Sequence, residues 1–419
     1  MIRALLKKYK SQLGDSVWSI TGLVLMNAVA QIAMFPWLRR AFSETGYGDL
    51  QYLMGYINMI TMSVGYAAAL ARMVSPRAER SENAGDYNLF LLMISALGIP
   101  FTFLVRGFGG VYMDTPTTVC YYLLFVAMAF RYYADVSYKI TLRYRRYFCY
   151  YAVIGVGYGL GTLLAVKTGV WPLAILMGEA AGVLFAYVME PNLRRGFCRP
   201  SNAFSKVMRC ILIFCVSEGI SNVILNADRL ILKHSIGAAS VTVYYLATLV
   251  GKTMSLVTIP LNGVAIGYLM RYDGKLTRRV MRWLTLGALA AVVLFTALCV
   301  LGGWIVLCWL YPEDLAAVKP FLVVGSLAQV LYFVTSFMTV ILVRFAKKGY
   351  QIIINAAFGV CFFGISVPVA FVGRDLWGFA LAVVAANAVR LLVAIVLGYY
   401  HVLRAQRTPL PEADQQKEV

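Results

Sequence analysis

The chain of 419 residues is dominated by unbroken apolar runs of about twenty residues. That is the length an α-helix needs to cross the hydrocarbon of a bilayer. Cut at clusters of charge, glycine or proline, the runs number twelve. They lie near 16–38, 49–71, 88–105, 118–138, 148–166, 170–190, 210–232, 241–268, 283–309, 319–343, 351–372 and 377–400. Continuous rather than alternating hydrophobicity makes them helices, since lipid tolerates only helices and closed barrels. The connections are short, and none can fold as a separate domain. Only 14% of the residues are charged and 61% are hydrophobic, with a mean hydropathy of +0.73; a soluble domain carries about 25% charge. Too little polar sequence exists to cover a soluble surface. This excludes a soluble enzyme, a disordered chain and a secreted disulfide scaffold. The first run, from Val17 to Leu38, is too long for a signal-peptide core. It reads as a retained membrane helix behind a basic anchor of Arg3, Lys7, Lys8 and Lys10.

The chain carries 38 Lys+Arg against 19 Asp+Glu, a net +19. With the N-terminus placed inside, 27 of the cations fall in the termini and in alternate connections. Seven fall on the opposite side: Arg39, Arg40, Arg106, Lys167, Lys233, Lys319 and Arg374. The positive-inside rule is thus obeyed with both termini cytoplasmic. A missed span would have inverted every later connection, so the charges support twelve. Most of the excess therefore sets orientation at the inner leaflet and does not imply nucleic acid. Eight cysteines form no C-x-x-C pair, and only His234 and His401 are present. Neither a disulfide framework nor a histidine metal site is expected.

The twelve spans divide into six and six. The run Ser43–Leu53 enters helix 2 as Ile236–Leu246 enters helix 8. Arg145-Arg146-Tyr147-Phe148 opens helix 5 as Lys347-Lys348-Gly349-Tyr350 opens helix 11. Trp171-Pro172-Leu173-Ala174 opens helix 6 as Trp377-Gly378-Phe379-Ala380 opens helix 12. Six helices separate the copies, so the halves are parallel repeats. The expected fold is an all-α integral membrane protein. Its two six-helix bundles are related by a pseudo-two-fold along the membrane normal. The expected segments are a basic N-terminus (1–15), a first bundle (16–190), a cytoplasmic linker (191–209), a second bundle (210–400) and a cytoplasmic tail (401–419).

Four cations lie inside spans: Arg131, Arg229, Lys252 and Arg390. A charge at mid-membrane costs roughly 2.5–3.5 kcal/mol on insertion scales and faces a bundle interior or a water-filled cavity. Arg131, Asp135 and Lys139 are spaced four apart on helix 4, so Arg131 can pair locally with Asp135. Lys252 and Arg390 have no opposite charge within a helical turn. They are the leading candidates for binding a pyrophosphate, for which guanidinium and ammonium are suited. Glu218, Asn222, Asn226 and Arg229 share one face of helix 7, with Asp228 beside them. They form either a polar cleft lining or an interhelical hydrogen-bonded seam. Glu179 and Glu218 are isolated carboxylates, open to structural pairing with a buried cation or to H+ or Na+ coupling. Asn27 and Gln31 share a face of helix 1. Asn58, Asn262, Gln329, Asn355 and Asn387 are further buried amides, expected in helix seams. Pro260 and Pro368 are expected to kink helices 8 and 11. Gly155, Gly157, Gly159 and Gly161 read as a helix-packing surface, not a nucleotide loop.

Two segments carry a resemblance. Arg39-Arg40-Ala41-Phe42-Ser43-Glu44-Thr45-Gly46-Tyr47-Gly48 resembles the helix 1–2 connection of bacterial O-antigen and capsular polysaccharide flippases. Asn226-Ala227-Asp228-Arg229-Leu230-Ile231-Leu232, followed by Ile236-Gly237 and Tyr244-Tyr245-Leu246-Ala247, resembles their helix 7–8 pattern. That family sits in the MATE-like multidrug/oligosaccharidyl-lipid/polysaccharide exporter superfamily. The resemblance implies two bundles that rock between inward-open and outward-open states in the bacterial inner membrane. It implies a polyprenyl-pyrophosphate-linked oligosaccharide as cargo, with membrane lipid, a polysaccharide polymerase and other assembly proteins as partners. The lipid II flippase branch is expected to have two further helices, for which this chain has no room. A MATE-type exporter of cationic drugs is the alternative, although the four intramembrane cations are matched by about four acids (Asp135, Glu179, Glu218 and Asp228) with no acidic excess. An integral-membrane polymerase or ligase is more distant, because no long external loop exists. No catalytic residue, metal or cofactor is expected.

Overall fold

The computed structural model describes residues 18, 21–75, 83–141, 143–197, 199–269, 276–345 and 349–407, with the side chains of 217, 221, 254–269, 343, 344, 349 and 405–407 excepted. The basic anchor at 3–10, the tail beyond 407 and the side chain of Pro260 lie outside the described residues. Twelve helical segments follow one another, and the described residues contain no strand. They are α1 (Thr21–Ala41), α2 (Glu44–Val74), α3 (Ala84–Phe108), α4 (Thr115–Thr141), α5 (Tyr144–Thr168) and α6 (Leu173–Met189). Then come α7 (Phe204–Ser235), α8 (Ala238–Leu269), α9 (Arg278–Leu310) and α10 (Leu322–Phe345), the last preceded by short turns. The series closes with α11 (Tyr350–Gly373) and α12 (Leu376–Arg407). Among the described residues, nine helices are long and apolar enough to span a membrane by themselves. A tenth is α7, whose halves Phe204–Ile220 and Asn222–Ser235 meet at a 44° bend.

Local chemistry sets the helix starts. Ser43 accepts a hydrogen bond from the Gly46 amide at 3.1 Å, and Asp114 accepts one from Thr117 at 3.3 Å ahead of Pro116. Thr277 caps α9 through the Val280 amide at 3.3 Å, and Asp375 caps α12 through Gly378 at 2.8 Å. Each side chain satisfies an amide that has no partner within its helix. Gly169 ends α5 at φ 75°, a left-handed conformation that favours glycine. In α11, π-helical turns at Phe362–Ser366 and Val369–Gly373 flank Pro368, the residue expected to disturb this helix.

The chain forms two compact units, Met1–Lys233 and His234–Val419. The boundary falls at the end of α7, one helix beyond the expected linker at 191–209. The reason is visible in the polar contacts. Asp86 is fully buried and accepts from the Ser201 amide at 2.7 Å and hydroxyl at 2.6 Å. The Asn88 amide donates to Leu193 O at 2.7 Å, and Arg72 donates to Asn192 O at 3.0 Å. The segment after α6 is thereby fastened to the ends of α2 and α3, and α7 follows it onto the first unit.

The same packing order recurs in both units. In the first, α4 packs against both α2 and α6, and α5 packs on α6. In the second, α10 packs against both α8 and α12, and α11 packs on α12. Equivalent aromatic contacts close both arrangements: Tyr121 of α4 meets Trp171 before α6 at 6.1 Å, and Phe321 before α10 meets Trp377 of α12 at 5.5 Å. The internal repeat read from the helix openings is therefore a repeat of packing. Of the four alternating glycines in α5, Gly157 and Gly161 face α6. A Cβ on Gly157 would stand 2.5 Å from the Gly178 Cα, and one on Gly161 would stand 2.5 Å from Leu173 O. Gly159 faces open space.

Candidate functional site: a buried arginine in each unit

In the first unit, Arg131 of α4 reaches across to α6. Its Nε donates to Glu179 Oε2 at 2.7 Å, with side chains 9% and 1% exposed. Tyr158 of α5 donates to the other Glu179 oxygen at 2.5 Å. Tyr150 donates to the Arg131 carbonyl at 3.1 Å, and the guanidinium lies 4.0 Å from the Tyr132 ring centroid. Of the two partners open to Arg131, the structure has Glu179 and not the local Asp135, which takes Lys139 at 2.9 Å and the Tyr147 hydroxyl at 3.1 Å. Spacing alone allowed either partner. Lys139 stands four residues away on the same face, where it neutralises Asp135, and this leaves Arg131 for Glu179. The tyrosines at 147, 150, 151 and 158 escaped the sequence reading, although their spacing places them on one face of α5. Tyr158 satisfies the second oxygen of Glu179 and Tyr147 donates to Asp135, while Tyr150 and Tyr151 bond the Arg131 carbonyl and Tyr147; such added hydrogen bonds offset the desolvation of a buried ion pair.

In the second unit, Arg390 of α12 is only 5% exposed. Its Nη2 donates to Asn355 Oδ1 of α11 at 3.0 Å, and Nη1 donates to Tyr332 O of α10 at 3.4 Å. The guanidinium lies 4.2 Å from the Tyr332 ring centroid and 5.3 Å from that of Phe358. Its Nε has no hydrogen-bond partner among the described residues, nor does Oδ1 of Asn387 one turn earlier. No described carboxylate pairs with it. Aromatic faces and an amide hold the cation in place without neutralising it. Asn355 was noted as a buried amide, but its service to Arg390 was not legible. Lys252 is half-buried on α8.

The polar stripe of α7 faces α2. Asn222, Asn226 and Asp228 are buried. The Asn222 side-chain amide donates to Ser63 Oγ at 3.3 Å, and Arg229 donates to Gln51 O at 3.4 Å. These two bonds join the stripe to α2. Glu218 is half-buried, and no described side chain bonds its carboxylate. On α1, Asn27 donates to the Leu23 carbonyl at 2.8 Å, and Gln31 Oε1 is buried without a hydrogen bond.

Neither a protein-family profile nor a curated protein sequence matches the chain. Solved structures do. The lipid II flippase MurJ in an inward-closed conformation superposes with a TM-score of 0.70 at 10% identity, covering 94% of this chain and 91% of that one. An inward-facing multidrug resistance MATE family transporter of the MOP superfamily gives 0.64 at 15% identity, covering 93% and 99%. The fold is that of the MOP-superfamily transporters. A MOP transporter from Pyrococcus furiosus, described for the reverse polarity of its binding pocket, gives 0.58 at 13% identity over 94% and 95% of the two chains.

Proposed function

We propose that the chain is a flippase that moves a polyprenyl-pyrophosphate-linked oligosaccharide across the bacterial inner membrane by alternating access, with both termini cytoplasmic. The observation that carries this reading is Arg390. A guanidinium buried among apolar helices and left unneutralised is costly, and such residues mark a substrate path. Its planar donor set suits phosphate oxygens. Lys252 of α8 is the second candidate contact to the pyrophosphate; Arg229 and Arg131 are further candidates, and Arg131 ranks below the others because Glu179 neutralises it. The resemblance of the helix 1–2 and helix 7–8 segments to polysaccharide flippases supports the saccharide. The MurJ fold, named for a lipid-linked cargo, supports the lipid carrier. A polysaccharide polymerase and other assembly proteins are the partners proposed at the exit side.

One observation favours a second reading, the MATE-type cation exporter: the half-buried Glu218 carboxylate has no ion-pair partner among the described residues. Reconstitution separates the two. Liposomes bearing the chain are supplied with a fluorescent polyprenyl-pyrophosphate-linked disaccharide or with ethidium. Translocation of the disaccharide lipid without ethidium transport is expected. Ethidium transport without movement of the lipid-linked sugar overturns the proposal.

A further inference from the structure

The start of α5 works against its own dipole. Arg143 immediately precedes the helix, and Arg145 and Arg146 lie in its first turn. That end of a helix carries partial positive charge, so cations there lower stability rather than raise it. Two of the three are held by a carboxylate from the neighbouring helix. Glu190, at the end of α6, is fully buried. It accepts from Arg143 Nη1 and from Arg146 Nη1, each at 3.3 Å. Arg146 Nη1 also donates to the Met189 carbonyl at 3.3 Å. Both arginine side chains are nevertheless half exposed. Each uses a single nitrogen, so Nε and Nη2 of both have no partner among the described residues. Arg145, between them, and Arg194, four residues past Glu190, are exposed. The other carboxylate near this end, Asp135, is already taken by Lys139 at 2.9 Å.

One arginine suffices to neutralise Glu190, and the second is surplus charge. Two guanidiniums fixed on a common carboxylate, each with donors to spare, suit the oxygens of a phosphate. The α6 surface that leads up to Glu190 is apolar. Leu184 and Val188 lie four apart on one face, and both are exposed, as is Met189. A soluble anion or an acidic peptide leaves that face uncovered. A ligand that joins a phosphate to hydrocarbon chains covers both.

We propose that Arg143 and Arg146, held by Glu190, bind the phosphate of an anionic phospholipid in the leaflet facing the cytoplasm, with its chains along the Leu184 and Val188 face of α6. The site is separate from any cargo path, so it can fail without the transporter reading. Purified full-length protein is titrated with cardiolipin or with phosphatidylethanolamine, and bound lipid is counted by native mass spectrometry. Cardiolipin is expected to bind more tightly. Arg143→Gln with Arg146→Gln is expected to weaken cardiolipin binding by about tenfold, the scale of two interfacial cations. That variant strands Glu190, so a triple variant adds Glu190→Gln; it is expected to keep the parent Tm and show the same loss. Arg279→Gln with Arg282→Gln removes two exposed cations at the start of α9, which no described carboxylate holds. It is expected to bind cardiolipin with the parent affinity. Parent affinity in the triple variant overturns the proposal. So does an equal loss in the α9 variant, which would mark bulk charge rather than a site. Displacement of cardiolipin by an equimolar amount of glycerol phosphate overturns it too, because the site would then serve a free phosphate.

Discussion

The two buried arginines occupy corresponding helix pairs and are treated in opposite ways. Arg131 bridges α4 and α6 through a carboxylate whose second oxygen takes a tyrosine hydroxyl. Arg390 sits on α12 against α10 with an amide, a backbone carbonyl and two aromatic rings. Both solutions hold a guanidinium out of lipid. The first cancels its charge and ties two helices together. The second supports the side chain and leaves its charge available. The repeat has thus kept the packing and diverged in electrostatics. One unit has neutralised its cation with a carboxylate, whereas the other holds its cation with an amide, a carbonyl and aromatic rings.

This difference can be broken by substitution. The largest effect is expected from Glu179→Ala, which strands the Arg131 charge and should cost roughly 3–5 kcal/mol. Thermal unfolding in detergent reads it, and the double variant Arg131→Met with Glu179→Met is expected to recover most of the loss. Recovery would show that neutrality, not the ions themselves, is what the first unit needs. Next comes the frame around the pair. Gly157→Leu is expected to lower stability by about 1–3 kcal/mol through overpacking against α6. Gly159→Leu, on the open face, is expected to leave the Tm unchanged. Of the two arginine sites, the smaller effect on stability is expected from Arg390→Met. Removing an unneutralised buried cation relieves its desolvation, so the change should stay within about 1 kcal/mol of the parent or be stabilising. A loss as large as that of Glu179→Ala would erase the distinction between the units.

The helices were legible because lipid imposes length and polarity so strictly. The openings at Ser43, Trp171 and Trp377 carried the repeat. Partner choice was less legible. Arg131 had Asp135 four residues away, and nothing in local spacing says that Lys139 takes that carboxylate while Glu179, 48 residues distant, takes the arginine. For Arg390, local spacing excluded a counter-charge on its own helix, but its holders Asn355, Tyr332 and Phe358 come from two other helices and carry no charge to signal the role. The α7 stripe was recognised as one polar face. That it meets α2 at Ser63 and the Gln51 carbonyl has no signal in local spacing.

The most direct measurement is the rate at which Arg390→Met and Arg390→Lys proteoliposomes translocate a fluorescent polyprenyl-pyrophosphate-linked disaccharide, with protein content matched and folding checked by Tm. Arg390→Met is expected to lose at least about tenfold in rate while keeping its Tm, the scale of one charge-assisted contact to phosphate, and Arg390→Lys is expected to retain an intermediate rate. A correctly folded Arg390→Met protein that moves the lipid-linked sugar at the parent rate would contradict an anion-binding role for the second unit.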